Sequence, residues 1–598
     1  MFTWTESELN TEQGEAVRQP GSIFLVACPG SGKTRTLTYK IADELSRLDS
    51  DKKFVVAITY THRAADEIHE RIEDLGVDTS RLWIGTIHSF CLEWIIKPYG
   101  IYLPELERGY QVIDQHEREK LLERLCEPYS RNRPKITFYD CDYYFTDNGY
   151  LLGCPDQRKH PIIHSILDEY FRVLADNRQI DFELILWHAF KLIEQNASIS
   201  MLLSMLFSIV LVDEYQDTKK IQYLIIAAIL RAGMGETKLF MVGDPNQAIY
   251  GSLGGYPIAI DELRTISGIP INERELSRNY RSSERVIEYF GNFNIYNTTI
   301  TAVANDCDYP SIVSYNSEVS HDNLVYEIVK IIRHNVEVLG IPPNEICVLA
   351  PQWFPLATMT RKLVVNMPDY RFDGPGMVPF ARDIQNFWYK LSKIALTEPS
   401  PVMYVRRLRW AVDVLSDLKD AGAEISNVSG KLFLRECNSI TINESNGLIY
   451  LRRFFDVLFE RLDIQFHELS QLEEYYQAFF ASSESRIARI ESEGLGEISD
   501  IRFFKKVFQN RTGVTVSTIH GVKGAEFDVV IAYALLEGMV PHFSDVNGVE
   551  SAQKMLYVVG SRARKNLHLF SEAGRKKGYS HYEPTSVLAA CYFDYDEI

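Results

Sequence analysis

The segment Ala27-Cys28-Pro29-Gly30-Ser31-Gly32-Lys33-Thr34 constrains this chain more than any other. It follows a short apolar run, Ile23 to Cys28, and opens a stretch in which Leu37, Ile41, Leu45 and Leu48 recur at three- and four-residue intervals. The first pattern reads as a buried strand and the second as an amphipathic helix. A small-residue turn between a strand and a helix is the setting of a phosphate-binding loop, because backbone N–H groups can close around phosphate oxygens there. Gly30, Ser31 and Gly32 supply the turn. Lys33 is expected to reach the β- and γ-phosphates of ATP, and Thr34 to give its hydroxyl to Mg²⁺. The generic pattern begins with Gly; here it begins with Ala27.

A second apolar run, Ile209 to Val212, ends in Asp213-Glu214. Standing alone, such a pair is as readily a solvated turn. Beside a phosphate loop, Asp213 is expected to hold Mg²⁺, mostly through water, and Glu214 to orient and deprotonate an attacking water. Phe54 to Ile58 and Leu239 to Val242 are also strand-like, and Ala64, Ile68, Ile72 and Leu75 mark a helix stopped by Gly76. This strand–loop–helix rhythm implies an α/β fold with a parallel sheet and ligands at the strands' carboxyl ends. Between Cys91 and Ile185 the rhythm gives way to aromatic-rich helical sequence holding Pro98, Pro128, Pro134 and Pro161. A second α/β stretch includes Ile346 to Ala350, Val514 to Ile519 and Val529 to Leu535, interrupted by a helical block from about Thr397 to Glu497. The expected division is a first core of residues 1–95 and 185–275 with an insertion at 96–184. A second core follows at 276–396 and 505–598, with an insertion at 397–504.

At about 150 residues per domain, 598 residues suit roughly four such units. With 46% hydrophobic and 24% charged residues the chain is neither mainly disordered, collagen-like nor coiled-coil. No apolar run reaches the roughly 18 residues of a membrane span. The longest, Ile199 to Val212, reads as a buried helix end leading into a core strand. The first residues lack a basic region followed by an apolar one, and the nine cysteines include no Cys-x-x-Cys. Both features fit a reducing compartment, the cytoplasm. Cys141, Cys154, His160 and His164 fall short of a zinc pattern, since only the two histidines have ligand-like spacing. A net charge of −18 argues against a passive nucleic-acid coat, but is compatible with a local basic groove.

The ordered set of motifs resembles superfamily 1 helicases of the UvrD/PcrA/Rep type, over about residues 9 to 570. That resemblance implies two RecA-like P-loop NTPase domains, each with a mostly helical insertion. Leu9-Asn10-Thr11-Glu12-Gln13 resembles the adenine-reading segment, with Gln13 at the base. Thr59-Tyr60-Thr61-His62-Arg63 and Gly85-Thr86-Ile87-His88-Ser89-Phe90 resemble the first two DNA-contacting segments, implying DNA contacts by Tyr60, Thr61 and His88. Asp213 to Thr218 matches the acidic motif. Gly243-Asp244-Pro245-Asn246-Gln247-Ala248-Ile249-Tyr250 matches the segment coupling nucleotide to DNA, with Gln247 near the γ-phosphate and Tyr250 on DNA. In Asn279-Tyr280-Arg281-Ser282, Arg281 is the implied arginine finger and Tyr280 stacks on adenine opposite Arg35. Thr518 to Asp528 resembles the fifth motif, with His520 toward DNA and Glu526 toward nucleotide. Tyr557 to Ala563 resembles the sixth, with Arg562 as second finger.

Two departures stand out. After Tyr250 the family usually carries an aromatic and an arginine, whereas this chain has Gly251-Ser252-Leu253-Gly254-Gly255, with Tyr256 the nearest alternative ring. Gly560-Ser561 precedes Arg562 where a larger residue and Thr are usual. Basic clusters at Arg502, Lys505, Lys506 and Arg511, and at Arg562, Arg564, Lys565, Arg575, Lys576 and Lys577, are either phosphate contacts or solvated faces. The implied activity is ATP-dependent translocation and unwinding, 3′ to 5′ on single-stranded or partly duplex DNA. The alternative is a DNA-end-sensing ATPase that regulates a partner nuclease, as in phage defence. A fused nuclease is disfavoured by the short stretch after the sixth motif.

Overall fold

The computed structural model describes the chain except residues 1, 49, 114, 132, 375–377, 381–385, 402, 426–427, 493–497, 509–512, 544, 546, 578–579 and 598, and the side chains of 116, 354, 355, 492 and 577. It divides into two compact units, Met1–Ser317 with Leu535–Glu597, and Glu318–Ala534. Arg511 of the first basic cluster and the side chain of Lys577 lie outside the described residues.

In the first unit, helix α1 (Thr11–Arg18) precedes strand β1 (Ser22–Ala27), helix α2 (Lys33–Ser46), strand β2 (Phe54–Thr59), helix α3 (His62–Asp74) and strand β3 (Leu82–Thr86). Strands β4 (Phe207–Val212), β5 (Lys238–Gly243) and β6 (Ile271–Leu276) complete a six-stranded sheet of order β6-β1-β5-β4-β2-β3. Every pairing in it is parallel. Parallel strands are covered on both faces, which is why they read as nearly continuous apolar runs. Ile23, Leu25, Val55, Ile209, Leu211, Phe240 and Val242 are all fully buried. The phosphate loop, Tyr60, Asp213 and Asp244 consequently emerge from one edge of the sheet, each directly after a strand's carboxyl end.

The α3 periodicity is realised, with Ile68 and Ile72 fully buried. Gly76 takes φ +71°, a left-handed conformation that ends a helix at little cost only for glycine. The run from Ile199 departs from its reading as a buried helix end. Helix Ala197–Leu206 buries Ile199 and Leu203 but exposes Met201, Leu202 and Met205. An apolar run does not reveal which of its side chains a helix will turn outward.

Residues 87–206, between β3 and β4, are mostly helical, with an antiparallel hairpin of Tyr143–Thr146 on Gly149–Leu152. There Cys141, Cys154, His160 and His164 have separate partners. Cys141 Sγ lies 3.6 Å from Cys126 Sγ, His160 Nε2 meets the Cys154 carbonyl at 2.7 Å, and His164 Nδ1 meets Tyr150 Oη at 2.8 Å. The first unit also holds β7 (Val313–Asn316), paired in parallel with a later strand, Ala563–Phe570.

In the second unit β8 (Ile346–Ala350) lies between β10 (Val514–Thr518) and β11 (Phe527–Ala532), and β9 (Phe372–Asp373) pairs with β10, all in parallel. Among the described residues, six α-helices from Phe387 to Lys506 build a separate core around Trp388, Phe455, Phe459 and Phe466. No helix among the described residues is long and apolar enough to cross a membrane. The chain is thus α/β with parallel sheets and helical insertions.

One buried cation fixes α1 against α2. Lys40, 1% exposed, pairs with Glu44 at 2.9 Å and donates to the carbonyls of Val17 at 3.0 Å and Gln19 at 3.3 Å. Removing one partner of a buried pair leaves the other charge uncompensated. Lys40→Ala should therefore destabilise the first unit by about 3 kcal/mol, moderated by Lys238, 3.6 Å from Glu44. Chemical denaturation checks this, and an unchanged midpoint would refute it.

Candidate active site

The phosphate loop is closed by sterics as well as by hydrogen bonds. Gly30 and Gly32 adopt φ +68° and +80°. A Cβ on Gly30 would lie 2.6 Å from Arg281 Cβ, and one on Gly32 2.6 Å from Gln13 Nε2. Both positions therefore require glycine for conformation and for room. Buried Ser31 donates its hydroxyl to the Cys28 carbonyl at 2.7 Å. Lys33 and Thr34 open α2, so the N-terminal N–H groups of that helix face the loop, a ready site for anions.

Gln13 lies against this loop. Its Nε2 donates to the Ser31 carbonyl at 2.8 Å, and its Oε1 accepts the Asn10 N–H at 3.0 Å. The Asn10 side chain accepts from the Gln13 N–H in return, a reciprocal cap on α1. Both ends of the Gln13 amide are thus engaged within the protein. Asn10 Nδ2 also donates to Tyr280 Oη at 2.7 Å, which places the half-exposed Tyr280 ring beside the α1 cap.

A fully buried Asn279 joins the loop to the arginine turn. Its Nδ2 donates to the Pro29 carbonyl at 2.8 Å, and its Oδ1 accepts the N–H groups of Arg281 and Ser282, each at 2.8 Å. The Tyr280 N–H adds a bond to the Gly30 carbonyl at 2.9 Å. Ser282 Oγ donates to the Ala563 carbonyl, and Arg281 Nη1 to the Ser561 carbonyl at 2.9 Å. Arg562 is 2% exposed, ends helix Gly548–Ser561, and donates from Nη2 to Gln247 Oε1 at 2.8 Å. Lys33, Gln247, Arg281 and Arg562 therefore all belong to the first unit.

Opposite these cations lie buried acids. Burial, and then the charge of Glu214, pushes the Asp213 carboxyl up to about 7, while Lys33 pulls it back. Burial also raises Asp244, again opposed by Lys33 and by the bond from Gln247 Nε2 at 2.7 Å. A carboxyl raised first by burial and then by a neighbouring acid fits a place for a divalent cation. Glu214 itself adopts φ +50°, a left-handed backbone unusual for a residue with a side chain.

A second cluster lies on the other side of the strand ends. Tyr60 and Tyr250 stack at 5.3 Å between ring centres, 26° from parallel. They line a cavity of about 460 Å³ with His88, Ser252, Lys219, Arg118 and Tyr144. Thr61 accepts the Ala64 N–H at 3.2 Å and caps α3. His88 packs edge-on against Phe182, and burial, then Lys219 and His62, pushes its imidazole down to about 3. Ser252 is exposed, whereas Tyr256 donates its hydroxyl to Glu262 at 2.6 Å. Tyr144, from the inserted hairpin, adds a ring to which no sequence motif points. Its only forward signal was an aromatic-rich insertion.

Several residues of the basic clusters carry acidic partners. Arg502 bonds Asp500 at 2.9 Å and Arg575 bonds buried Glu572 at 2.7 Å. Lys565 lies 3.7 Å from Asp306. In the second unit, His520 opens the turn after β10 and Glu526 immediately precedes β11.

Comparison with known proteins agrees with this arrangement. The UvrD/REP helicase N-terminal domain matches residues 9–265, and the UvrD-like helicase C-terminal domain matches residues 451–573. The chain belongs to the UvrD-like helicase family. Among its relatives, the ATP-dependent DNA helicase PcrA of Staphylococcus epidermidis is 23% identical over 95% of this chain and 84% of its own length. PcrA of Staphylococcus aureus is 24% identical over the same shares. For a UvrD-like chain one of the two departures has a local reason. A Cβ on Gly560 would lie 2.7 Å from Phe290 Cβ, so no larger residue fits before Ser561. A Cβ on Gly254 would lie 2.9 Å from the Tyr144 ring, so that position must stay glycine where the hairpin meets the loop, while nothing in the structure explains Ser252.

Asn279→Ala would remove three hydrogen bonds that pin Pro29 to the arginine turn. Losing about 1.4 kcal/mol of loop order lowers affinity tenfold, so ATP binding should weaken by about that factor or more while far-UV circular dichroism is kept. Nucleotide titration measures it, and wild-type affinity would show that the loop holds itself.

Proposed function

We propose that this chain hydrolyses ATP to travel 3′ to 5′ along single-stranded DNA and to separate strands at a partly duplex junction. The observation that carries the reading is the convergence of Lys33, Asp213, Glu214, Gln247, Arg281 and Arg562 around one phosphate loop, within the first unit. Backbone N–H groups of residues 30–34 and Lys33 hold the β- and γ-phosphates, with the base between Tyr280 and Arg35 and near Gln13. Thr34 and Asp213 would hold Mg²⁺, which supplies charge neutralisation across the β- and γ-phosphates when bound. Glu214 takes a proton from water, the water oxygen bonds to the γ-phosphorus, and the bond to the bridging oxygen breaks to leave ADP and phosphate. Arg281 and Arg562 neutralise the charge developing on the transferred group, an effect worth about 10³–10⁵ in rate for arginine fingers. Glu526 is assigned to nucleotide by the family resemblance.

DNA runs over Tyr60, Thr61, His88 and Tyr250, with the bases stacking on the tyrosines, and His520 is assigned to DNA by the family resemblance. The four-part division at 1–95/185–275, 96–184, 276–396/505–598 and 397–504 accompanies this reading, as does work in the cytoplasm. Lys33→Ala and Glu214→Gln should each abolish hydrolysis with the fold intact, Glu214→Gln still binding ATP. Near-normal turnover of either variant at saturating DNA would defeat the site assignment. Tailed duplexes separate the polarities: strands should part with a 3′ tail and not with a 5′ tail.

The second reading, an ATPase that senses DNA ends and regulates a partner nuclease, is favoured by one feature, the absence of a ring at Ser252. A stacking platform is worth about 1–3 kcal/mol per base, so the isolated chain should make short runs, and Ser252→Phe should lengthen them. Stopped-flow run lengths decide the point. Long unwinding without any partner would dispose of the second reading.

A further inference from the structure

The acidic turn contains a side chain for which the hydrolysis scheme has no use. Gln216 is fully buried, in the short turn Tyr215–Asp217 that follows the left-handed Glu214. Its Oε1 accepts the Asp244 N–H at 3.0 Å, and its Nε2 donates to Glu214 Oε2 at 2.6 Å. The backbone N–H can only donate, so the amide has one consistent orientation, with its NH₂ toward Glu214. Space fixes the same arrangement: a Cβ on Gly243 would lie 2.3 Å from Gln216 Oε1 and 2.6 Å from the Tyr215 ring. Gln216 thus holds one oxygen of the Glu214 carboxylate from the interior and is anchored on the neighbouring strand end.

The anchor leads onward. Asp244 Oδ2 accepts Gln247 Nε2 at 2.7 Å, and Gln247 Oε1 accepts Arg562 Nη2 at 2.8 Å. Glu214, Gln216, Asp244, Gln247 and Arg562 form one continuous chain from the acid to the arginine. Each link is buried or partly buried, where hydrogen bonds are stronger and an unmade one costs more than in water.

We propose that Gln216 is a positioning residue for hydrolysis: it aims the Glu214 carboxylate at the attacking water and makes that aim depend on the Asp244–Gln247–Arg562 chain. The proposal rests on the ATPase reading above. Gln216 acts through Glu214, whose carboxylate it holds from its anchor on the Asp244 N–H. A carboxylate free to rotate about its own side chain would spend little time in line with the γ-phosphorus, and small misplacements of reacting groups are costly in rate.

The test uses the full chain with saturating single-stranded DNA. Gln216→Glu keeps the acceptor for the Asp244 N–H but replaces the donor by a like charge against Glu214. Gln216→Met keeps the volume and removes both bonds. Each should lower kcat about 10- to 100-fold while KM for ATP and nucleotide affinity stay near wild type. Wild-type kcat in both Gln216 variants overturns the proposal, and so does a rise in KM in step with the fall in kcat. If Gln216→Glu fails to fold by circular dichroism, Gln216→Met decides by the same criteria. Normal turnover of Glu214→Gln by itself would instead remove the catalytic reading on which the proposal stands.

Discussion

A fully buried carboxylate, Asp244, organises the nucleotide end of this fold. Burying an acid is unfavourable unless its oxygens find donors and a cation lies nearby. Asp244 has both: the Asn246 N–H at 3.0 Å, Gln247 Nε2 at 2.7 Å, and the field of Lys33. Each of those groups is needed elsewhere, since Gln247 meets Arg562 and Lys33 opens the helix after the phosphate loop. Asn246 extends the same turn outward, accepting the N–H groups of Ile295 and Tyr296 and donating to Asn294 and Thr298. One turn after β5 therefore binds the loop, the arginine and the segment beyond β6.

The parts of the site legible in the sequence are those where chemistry and local structure share a short stretch. The phosphate loop is one such case, because the glycines, the lysine and the flanking strand and helix all lie between Ser22 and Ser46. The parallel sheet was legible for a similar reason: strands covered on both faces read as apolar runs. What was hidden depends on partners far along the chain. Gln247 and Arg562 are 315 positions apart, and nothing in either motif says that their side chains meet. The Gln13 amide likewise reveals its tie to Ser31 only after α1 and β1 have folded together. The run from Ile199 misled in the opposite direction, since composition gives apolarity and leaves the direction of each side chain to packing.

The loop after Tyr250 shows how an inserted element constrains a motif by packing against it. Gly254 has φ +89° and faces the Tyr144 ring. A side chain there would be strained by its backbone and would collide with the ring. Tyr144 stands on the inserted hairpin, and Lys219 lies over it at 5.9 Å. Lys219 also pairs with Glu183, which follows Asp181, the cap of helix Phe182–Gln195. The small loop, the hairpin ring and the acidic helix start thus fit one another. The ring missing at position 252 and the ring present at 144 line the same cavity, so the two cannot be altered independently. A bulky aromatic at 252 must find room beside Tyr144 as well as a stacking face for DNA, and the hairpin decides which of those it can have.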